Sequence, residues 1–489
     1  MPIGNPSSNY IKNDIVVNHH PTNNNYGEEE IRHITRKRDV RILPLVCLFY
    51  LCSFLDRVNI GNAKLAGLLE DTKMTESEFN NALSIFFVGY IIFEVPANMM
   101  LNKIGPRIWM AILMGVWGVI MCSMAAVKNG TQLIVARLFL GVAEAGLIPA
   151  IIFYLSRWYT KNEQARRIAI FYGCSTCAGA FGGVLAYGLM KLDGRQGLSG
   201  WQWIFIIESI PTLVMSIVCL VALPDFPETS SFLKEHEKKV LLELLSKDNG
   251  SDLENKEIEF SKKQFFAVFR DWKTYSFSIL TFCLVTGIYS VSMFLPTIIH
   301  GMGFDALIAQ AMSSPPWVVA CFFTILTGIS ADKQSERGLH VAIPSFIAGV
   351  GFILLIVLKH TVGLYISTMI VTSGIYSACG INMPWITNNF LGSTKRSVAI
   401  ATVNSFGNIG GIVAGQLYRA NDGPYYIHGH AACVGVMLGV SLIAFSIKFS
   451  FIYINKKRRN MTIEERQVVI KNNEELCDKV SIICIYDEA

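Results

Sequence analysis

Long apolar stretches alternate with short polar loops along most of the chain. A helix that crosses the hydrocarbon core of a bilayer needs ~20 mostly apolar residues. Twelve segments satisfy this requirement: residues 41–61, 80–102, 107–127, 132–156, 168–190, 203–222, 275–298, 307–329, 340–358, 362–386, 397–418 and 431–454. The pattern predicts an all-α membrane protein with 12 transmembrane helices.

A polar stretch of about fifty residues divides these segments into six and six, and within it the sequence predicts an amphipathic helix around residues 235–246. The predicted organisation is a cytoplasmic tail (1–40), an N-terminal six-helix bundle (41–222), a cytoplasmic linker (223–273), a C-terminal six-helix bundle (274–455) and a second cytoplasmic tail (456–489).

The two halves share a weak internal similarity. A basic pair precedes the fifth apolar segment (Arg166 and Arg167) and the eleventh (Lys395 and Arg396), and spaced glycines follow in both. Repeated halves are a common plan among transporters, whose substrate sites lie between the halves near the bilayer midplane. We therefore expect two bundles around a central site.

Composition and charge agree with this class. Only 16% of the residues are charged, compared with about 25% in soluble domains. The loops on the side of both chain ends are the richer in lysine and arginine, as at Lys103 and Arg107, so the positive-inside rule places both termini in the cytoplasm. The net charge of +5 gives no indication of nucleic-acid binding. We expect a multi-pass membrane protein.

Cysteine usage indicates neither a metal site nor disulfides. Nearly all of the 12 cysteines lie in apolar segments. Cys174 and Cys177 have the spacing of metal and redox sites, but no second pair and no nearby histidine accompanies them. We interpret them as small packing residues and expect no metal and no cofactor.

Two pairs of opposite charges lie deep inside apolar segments: Asp56 and Arg57 in the first, Arg137 and Glu144 in the fourth. A charge at bilayer depth costs at least ~2.5–3.5 kcal/mol on insertion scales, so such residues usually have a function. The seven-residue spacing places Arg137 and Glu144 on one face of a helix. The four charges overlap in depth and are expected to meet across a polar cavity.

These charges suggest a mechanism for anion transport. An anion that enters a neutral cluster must displace a carboxylate from an arginine, whereas protonation of one carboxylate first leaves the cluster net positive. Proton and anion then bind favourably together. The alternative is a structural ion-pair network, although apolar packing replaces a purely structural pair at little cost.

Several further residues are candidates for substrate contact or gating. In the C-terminal half, amide side chains replace charges, and Asn404 is the main candidate for the cavity wall; Tyr90 is a second candidate for substrate contact. Glu94 lies close in sequence to Lys103 and Arg107, so a gating or structural salt bridge is expected among the three.

One more carboxyl group lies within an apolar segment. Glu208 follows Trp201 and Trp203, which have the pattern of an aromatic belt at the membrane interface. We interpret Glu208 as structural.

At these residues the chain resembles the anion:cation symporter family of the major facilitator superfamily. The matching stretches are Phe54-Leu55-Asp56-Arg57-Val58-Asn59-Ile60, Arg137-Leu138-Phe139-Leu140-Gly141-Val142-Ala143-Glu144-Ala145-Gly146 with Pro149, Leu223-Pro224-Asp225-Phe226-Pro227-Glu228-Thr229, and Gly407-Asn408-Ile409-Gly410-Gly411. The resemblance spans nearly the whole chain between the tails. It is strongest to the fungal branch, whose members carry allantoate, nicotinate, pantothenate and similar carboxylates across the plasma membrane. The resemblance therefore implies the plasma membrane for this chain.

The resemblance implies roles for individual residues. It implies that Asp56 and Glu144 carry protons and that Arg57 binds the substrate carboxylate. Arg137 is predicted to belong to the substrate-binding site as well, as the partner of the acidic groups. The superfamily's loop signature lacks its usual aspartate between the second and third helices.

The corresponding loop of the second half keeps the signature, with Asp332 and Arg337, and the resemblance implies a gating role there.

The leading hypothesis is a proton-coupled symporter that imports a small organic anion by rocking of two six-helix bundles, not an enzyme. Its expected partners are the anion, protons and the lipid bilayer, and a monomer is expected. Two alternatives remain open: a nutrient sensor that binds the same ligand without sustained transport, and an anion facilitator or exchanger without proton coupling.

Overall fold

The computed structural model describes residues 27–249, 262–334, 336–390, 393–460 and 462, so most of both predicted tails and part of the predicted linker lie outside the described residues. The described residues form helices and no strand. The α-helices are α1 (Glu28–Ala63), α2 (Leu69–Thr72), α3 (Glu76–Ile104), α4 (Pro106–Ser123), α5 (Gly130–Glu144), α6 (Leu147–Trp158), α7 (Lys161–Met190), α8 (Gly200–Ala222), α9 (Glu235–Asn249), α10 (Lys262–Arg270), α11 (Trp272–Gly301), α12 (Ala306–Met312), α13 (Ser314–Gln334), α14 (Gly338–Val357), α15 (Thr361–Asn389), α16 (Ser393–Ala414) and α17 (Ile427–Arg459). A π-helical turn, Lys64–Leu68, joins α1 to α2, and short 3-10 segments lie at Met124–Ala126, Arg195–Gly197 and Ala420–Asp422.

Eleven helical stretches of the described residues are long and apolar enough to cross a membrane. Each of them coincides with one of the predicted segments, and the remaining predicted segment, residues 41–61, lies inside α1. The prediction of an all-α membrane protein is confirmed.

Two of the predicted segments are each built from two helices. The segment at 132–156 is interrupted after Glu144, where α5 ends, and α6 begins at Leu147. Pro149 lies in the first turn of α6, where a missing backbone N–H is tolerated because such groups have no partner inside the helix. α12 and α13 are separated in the same way, with Pro315 and Pro316 in the first turn of α13.

The helices pack into two groups. In the N-terminal half α1 packs against α7 and α8, α3 against α5, and α4 against α8; in the C-terminal half α11 packs against α16, and α14 against α15 and α17. The halves meet where α1 contacts α11, α3 contacts α16, and α7 contacts α12, α13 and α15.

The spanning helices alternate in direction, so α1 begins and α17 ends on the same side of the molecule, which we call the terminal face. On the opposite face the halves are in close contact. The Asn80 amide donates to the Tyr418 carbonyl (3.1 Å), Ser84 donates to the Ile412 carbonyl (2.9 Å), and the Gln310 amide donates to the Asn62 carbonyl (2.9 Å). These bonds close the opposite face.

The amphipathic helix predicted around residues 235–246 is α9 (Glu235–Asn249). It lies on the terminal face, where Lys37 Nζ of α1 contacts Glu237 Oε1 at 2.5 Å. The first turns of α1 are thereby attached to the linker.

Candidate functional site

A cavity of about 550 Å³ lies between the two halves. Its lining runs from Arg57, Tyr90 and Tyr289 in the interior to Asp332 and Arg337, at the loop that joins α13 to α14 on the terminal face. The hydrogen bonds described above close the other side. The cavity therefore extends toward the terminal face and ends at Arg57.

Arg57, at the inner end of the cavity, contacts a carboxylate, a hydroxyl group and aromatic rings. Its Nη2 lies 2.6 Å from Glu144 Oε1, and its Nη1 donates to the hydroxyl of Tyr289 at 2.5 Å. The guanidinium carbon lies 5.2 Å from the ring centres of both Phe86 and Tyr90, a distance at which a cation is attracted to an aromatic face. Tyr289 belongs to α11, so Arg57 connects the two halves.

Glu144 lies behind Arg57, away from the cavity. It is 1% exposed and is not part of the cavity lining. Its Oε1 accepts hydrogen bonds from Arg57 and from the Ser53 hydroxyl, whereas its Oε2 has no partner among the described residues. The ion pair thus joins a group that reaches the cavity to a group that does not.

Asp56 faces away from its neighbour Arg57. Its Oδ2 accepts hydrogen bonds from Trp117 Nε1 of α4 (3.0 Å) and from the Thr212 hydroxyl of α8 (2.6 Å). Its Oδ1 has no partner among the described residues, and the side chain is 1% exposed. Asp56 therefore lies in the interior of the N-terminal half.

Arg137 is equally buried, and its Nη1 donates to the Arg57 carbonyl at 3.4 Å. Its Nε and Nη2 have no hydrogen-bond partner in the described part of the chain. The four charged residues are close together as predicted, but the expectation that they meet across the cavity is wrong, since Arg57 alone of the four reaches it. Among these four residues, the pair of opposite charges within 4 Å is Arg57 and Glu144, and Arg137 is not part of it.

Tyr90, Glu94 and Asn404 all line the cavity. Glu94 Oε2 accepts a hydrogen bond from the Ser405 hydroxyl of α16 at 2.8 Å, so it contacts the C-terminal half.

The predicted contact of Glu94 with Lys103 and Arg107 is wrong. Arg107 lies 3.6 Å from Asp225 and donates through Nε to the Leu220 carbonyl, and Lys103 is exposed. Because Glu94 and Lys103 are more than two helical turns apart on α3, the intervening turns separate them.

The two gating candidates of the C-terminal half, Asp332 and Arg337, lie at the mouth of the cavity. Asp332 is exposed, and Arg337 Nη1 donates to the Pro384 carbonyl at 2.9 Å. Between them in sequence, Glu336 binds Lys448 Nζ (2.7 Å) and His340 Nδ1 (2.8 Å). Burial alone would raise the pKa of Glu336, but the hydrogen bonds from Lys448, the Leu339 N–H and His340 hold it below its usual range.

Away from the mouth with its Asp332 and Arg337, the C-terminal wall of the cavity has polar but uncharged side chains among the described residues. It contains Asn382, whose amide donates to the Thr281 hydroxyl at 3.0 Å, together with Asn404 and Asn408. Tyr376, also in the lining, shares a hydrogen bond of 2.7 Å with Ser292. These groups offer donors and acceptors to a bound molecule.

Sequence reasoning missed the partners of the buried charges: Ser53, Trp117, Thr212 and Tyr289. Each is a single polar group in an apolar helix. The sequence contains many such groups, and a choice among them requires the packing of the helices.

Comparison with known proteins gives the family. Residues 46–415 match the Major Facilitator Superfamily (MFS). The chain is 34% identical over 439 residues to the MFS transporter prlL of a fungal species, which covers 88% of both chains. It is also 34% identical over 381 residues to a putative tartrate transporter of Agrobacterium vitis, covering 78% of this chain and 86% of that protein.

The fold is similar to solved structures of the same architecture. A D-xylose–proton symporter aligns with a TM-score of 0.65 at 14% identity, over 83% of this chain and 97% of that chain. A bacterial homolog of the human lysosomal transporter Spinster, in an inward-facing conformation, aligns with a TM-score of 0.63 at 15% identity, over 84% and 97%. The family match, the relatives and the two-bundle fold agree, and the chain therefore belongs to the Major Facilitator Superfamily of membrane transporters.

Proposed function

We propose that the protein is a proton-coupled symporter that imports a small organic anion, as in the anion:cation symporter branch of the superfamily. The observation that carries the proposal is the Arg57–Glu144 ion pair. Arg57 is accessible from the cavity, whereas Glu144 is buried behind it. A substrate carboxylate and Glu144 therefore compete for one guanidinium.

This competition couples the anion to a proton. Opposite unit charges ~4 Å apart attract by ~4 kcal/mol at an effective dielectric constant of about 20, so an anion displaces ionised Glu144 only at a large cost. Protonation of Glu144 removes its charge and leaves Arg57 free to bind the substrate. Because each event favours the other, proton and anion bind together and leave together.

The charges of the cavity favour a substrate with one carboxylate. Arg57 is the cation at its inner end, and the other arginine of the described lining, Arg337, lies at the mouth. Tyr90 and Tyr289 border the guanidinium and offer an apolar surface to the body of the substrate, while Asn404 and Asn382 offer hydrogen bonds. Nicotinate, pantothenate and allantoate have this chemistry, and the similarity to a putative tartrate transporter supports an organic acid.

The conformation fits one stage of the transport cycle. The opposite face is closed and the cavity extends toward the terminal face. With both termini in the cytoplasm of a plasma-membrane protein, as the positive-inside rule predicts, this is the inward-open state with Glu144 ionised and the substrate released.

Uptake measurements test the function. Purified protein in liposomes is given radiolabelled nicotinate, pantothenate, allantoate or tartrate, with and without an inward proton gradient. We expect accumulation of at least one of the three monocarboxylates when the outside is acidic, and loss of that accumulation when a protonophore dissipates the gradient. Equal distribution of every compound with and without the gradient contradicts the proposal.

A further inference from the structure

Glu208 of α8 is a buried carboxyl group that the scheme above does not use. Its side chain is 3% exposed; no cation pairs with it among the described residues, and its polar neighbour there is the neutral side-chain amide of Asn59 on α1. A buried carboxylate without a cation beside it is very unfavourable, because it loses its hydration and one neutral amide replaces only a small part of it. Its sequence context near two tryptophans suggested a structural role, which a buried carboxyl group without a charged partner does not explain.

The packing of α1 against α8 places Glu208 beside the charged cluster. The two helices are antiparallel, and the Asp56–Thr212 hydrogen bond of 2.6 Å fixes their register. Asn59 lies three residues after Asp56 and Glu208 lies four residues before Thr212, so both are one turn closer to the opposite face. Asn59 Oδ1 and Asp56 Oδ1 have no hydrogen-bond partner within the described residues. Asn59 and Asp56 both act on Glu208 across this contact, so three side chains, two of them carboxyl groups, lie in one small region.

Ionisation of Glu208 would change the net charge of the buried cluster. Arg57 and Arg137 balance Asp56 and Glu144, so an ionised Glu208 would leave one uncompensated negative charge in the interior of the bundle. Asp56 is the ionisable group of α1 that acts on Glu208, and its negative charge repels a carboxylate there. The facing side chains Trp117 of α4 and Thr212 of α8 both donate to Asp56 instead.

We propose that Glu208 is the entry site of the coupling proton: it holds a proton in this conformation and supplies it through Asp56 to Glu144. The inference rests on the proposed symport. The proton leaves the Glu208 carboxyl for Asp56 Oδ1, then passes from Asp56 to Glu144, and water at the opposite face restores the proton on Glu208. None of the three carboxyl groups lines the cavity, so the proton and the anion take separate routes that meet at the Arg57–Glu144 pair.

Infrared difference spectroscopy tests the resting protonation without any substrate. A protonated carboxyl group has a C=O stretching band well separated from carboxylate bands, and the band shifts in D2O. We expect Glu208→Gln to remove such a band from the purified protein at pH 7, whereas Glu70→Gln, at an exposed position of α2, leaves it unchanged. An unchanged band in Glu208→Gln overturns the proposal.

Transport measurements test delivery of the proton. With the labelled carboxylates named above, uptake driven by a pH gradient should fall about tenfold in Glu208→Gln, while counterflow exchange should stay within about twofold of the wild type. Glu208→Met provides a second, apolar variant of similar size if the glutamine variant is poorly folded. A merely structural Glu208 would lower exchange and driven uptake equally, which contradicts the proposal. Absence of driven uptake in the wild type, with the infrared band assigned to Glu208, would contradict symport instead.

Discussion

Asp56 and Arg57 are neighbours in the sequence, but their side chains have different surroundings. Arg57 reaches the cavity and binds Glu144 and Tyr289, whereas Asp56 binds Trp117 and Thr212 in the interior of the N-terminal half. Successive residues of a helix are about 100° apart, so two adjacent charges cannot share one environment. At the residue scale, one helix can thus present a substrate-binding group and a proton-binding group to different sides.

Replacement of Arg57 by lysine keeps the charge but removes the planar fork that binds a carboxylate through two hydrogen bonds. We expect the apparent affinity for substrate to fall about 10–100-fold, since a hydrogen bond to a charged group contributes ~1.5–3 kcal/mol. Concentration-dependent uptake, normalised to protein abundance, measures this effect. Arg157→Lys, at an exposed position on the terminal face, is the matched control. Unchanged affinity in Arg57→Lys would remove this residue from the site.

The sequence predicted the buried charges correctly because they are exceptions within apolar segments. It did not predict their partners, because the pairing of Arg57 with Glu144 rather than of Arg137 with an acid depends on where the packed bundle places α1 relative to α5. Tyr289 shows the same limitation, since it lies 232 positions from Arg57 in the chain. The residue types determine which side chains are able to pair with a buried charge, and the packing of the helices determines which of them do so.

At the scale of helices, the contact between α1 and α11 depends on a glycine. A Cβ atom at Gly61 would lie 2.2 Å from the Met293 carbonyl oxygen, so no other residue fits without movement of the backbone. This contact lies next to Asn62, which accepts the hydrogen bond from Gln310 that closes the opposite face. The apolar pattern predicted the end of α1 and both ends of α11 to within a few residues, whereas α1 begins at Glu28, well before the predicted start at residue 41. The pattern could not predict how closely the two helices approach.

A larger residue at Gly61 should prevent the opposite face from closing. We expect Gly61→Val to reduce uptake and to lower the labelling of the cavity cysteines Cys177 and Cys321 by a maleimide reagent added from the terminal face, because overpacking costs about 1–3 kcal/mol in the closed conformation. Gly188→Val is the matched control, since a Cβ atom there has no neighbour within 4 Å. Equal labelling of the two variants would show that this contact does not control the conformation.

The loop between α13 and α14 provides a prediction about pH. Lys448, the Leu339 N–H and His340 hold the pKa of Glu336 below its usual range against the effect of burial. Ionised Glu336 therefore stabilises the protein above the unfolded-state value of about 4.3, and this contribution is lost as the pH falls through the lower, folded-state value.

We expect Glu336→Gln to lower the stability by about 1 kcal/mol at pH 7 and to make little difference at about pH 2, where Glu336 is protonated in both states. Thermal unfolding of the purified protein at the two pH values measures this. Glu29→Gln, an exposed position of α1, should unfold like the wild type at both. An equal deficit of Glu336→Gln at the neutral and the acidic pH would rule out the charge as its cause.

At the scale of the whole molecule, the two halves are joined on the opposite face and separated by the cavity toward the terminal face. The even number of predicted spans and the distribution of basic residues could be read from the sequence. The conformation could not be read from the sequence, because it depends on which contacts between the halves are formed.

The predicted orientation places both ends of the chain in the cytoplasm. Protease added to intact cells should therefore spare epitope tags at the N-terminus and at the C-terminus, and permeabilised cells should lose both. Cleavage of one tag in intact cells would mean that the number of spans is odd.

Coupling through Glu144 is the central claim, and Glu144→Gln tests it most directly. The amide cannot ionise, so it should mimic permanent protonation and leave Arg57 free for the anion. Counterflow exchange of the labelled carboxylate and its pH-gradient-driven accumulation are measured side by side in liposomes. We expect exchange to persist and accumulation to be abolished, because no proton is released to reset the carrier. Accumulation against the substrate gradient with the wild-type proton dependence would contradict the account and favour a structural ion pair.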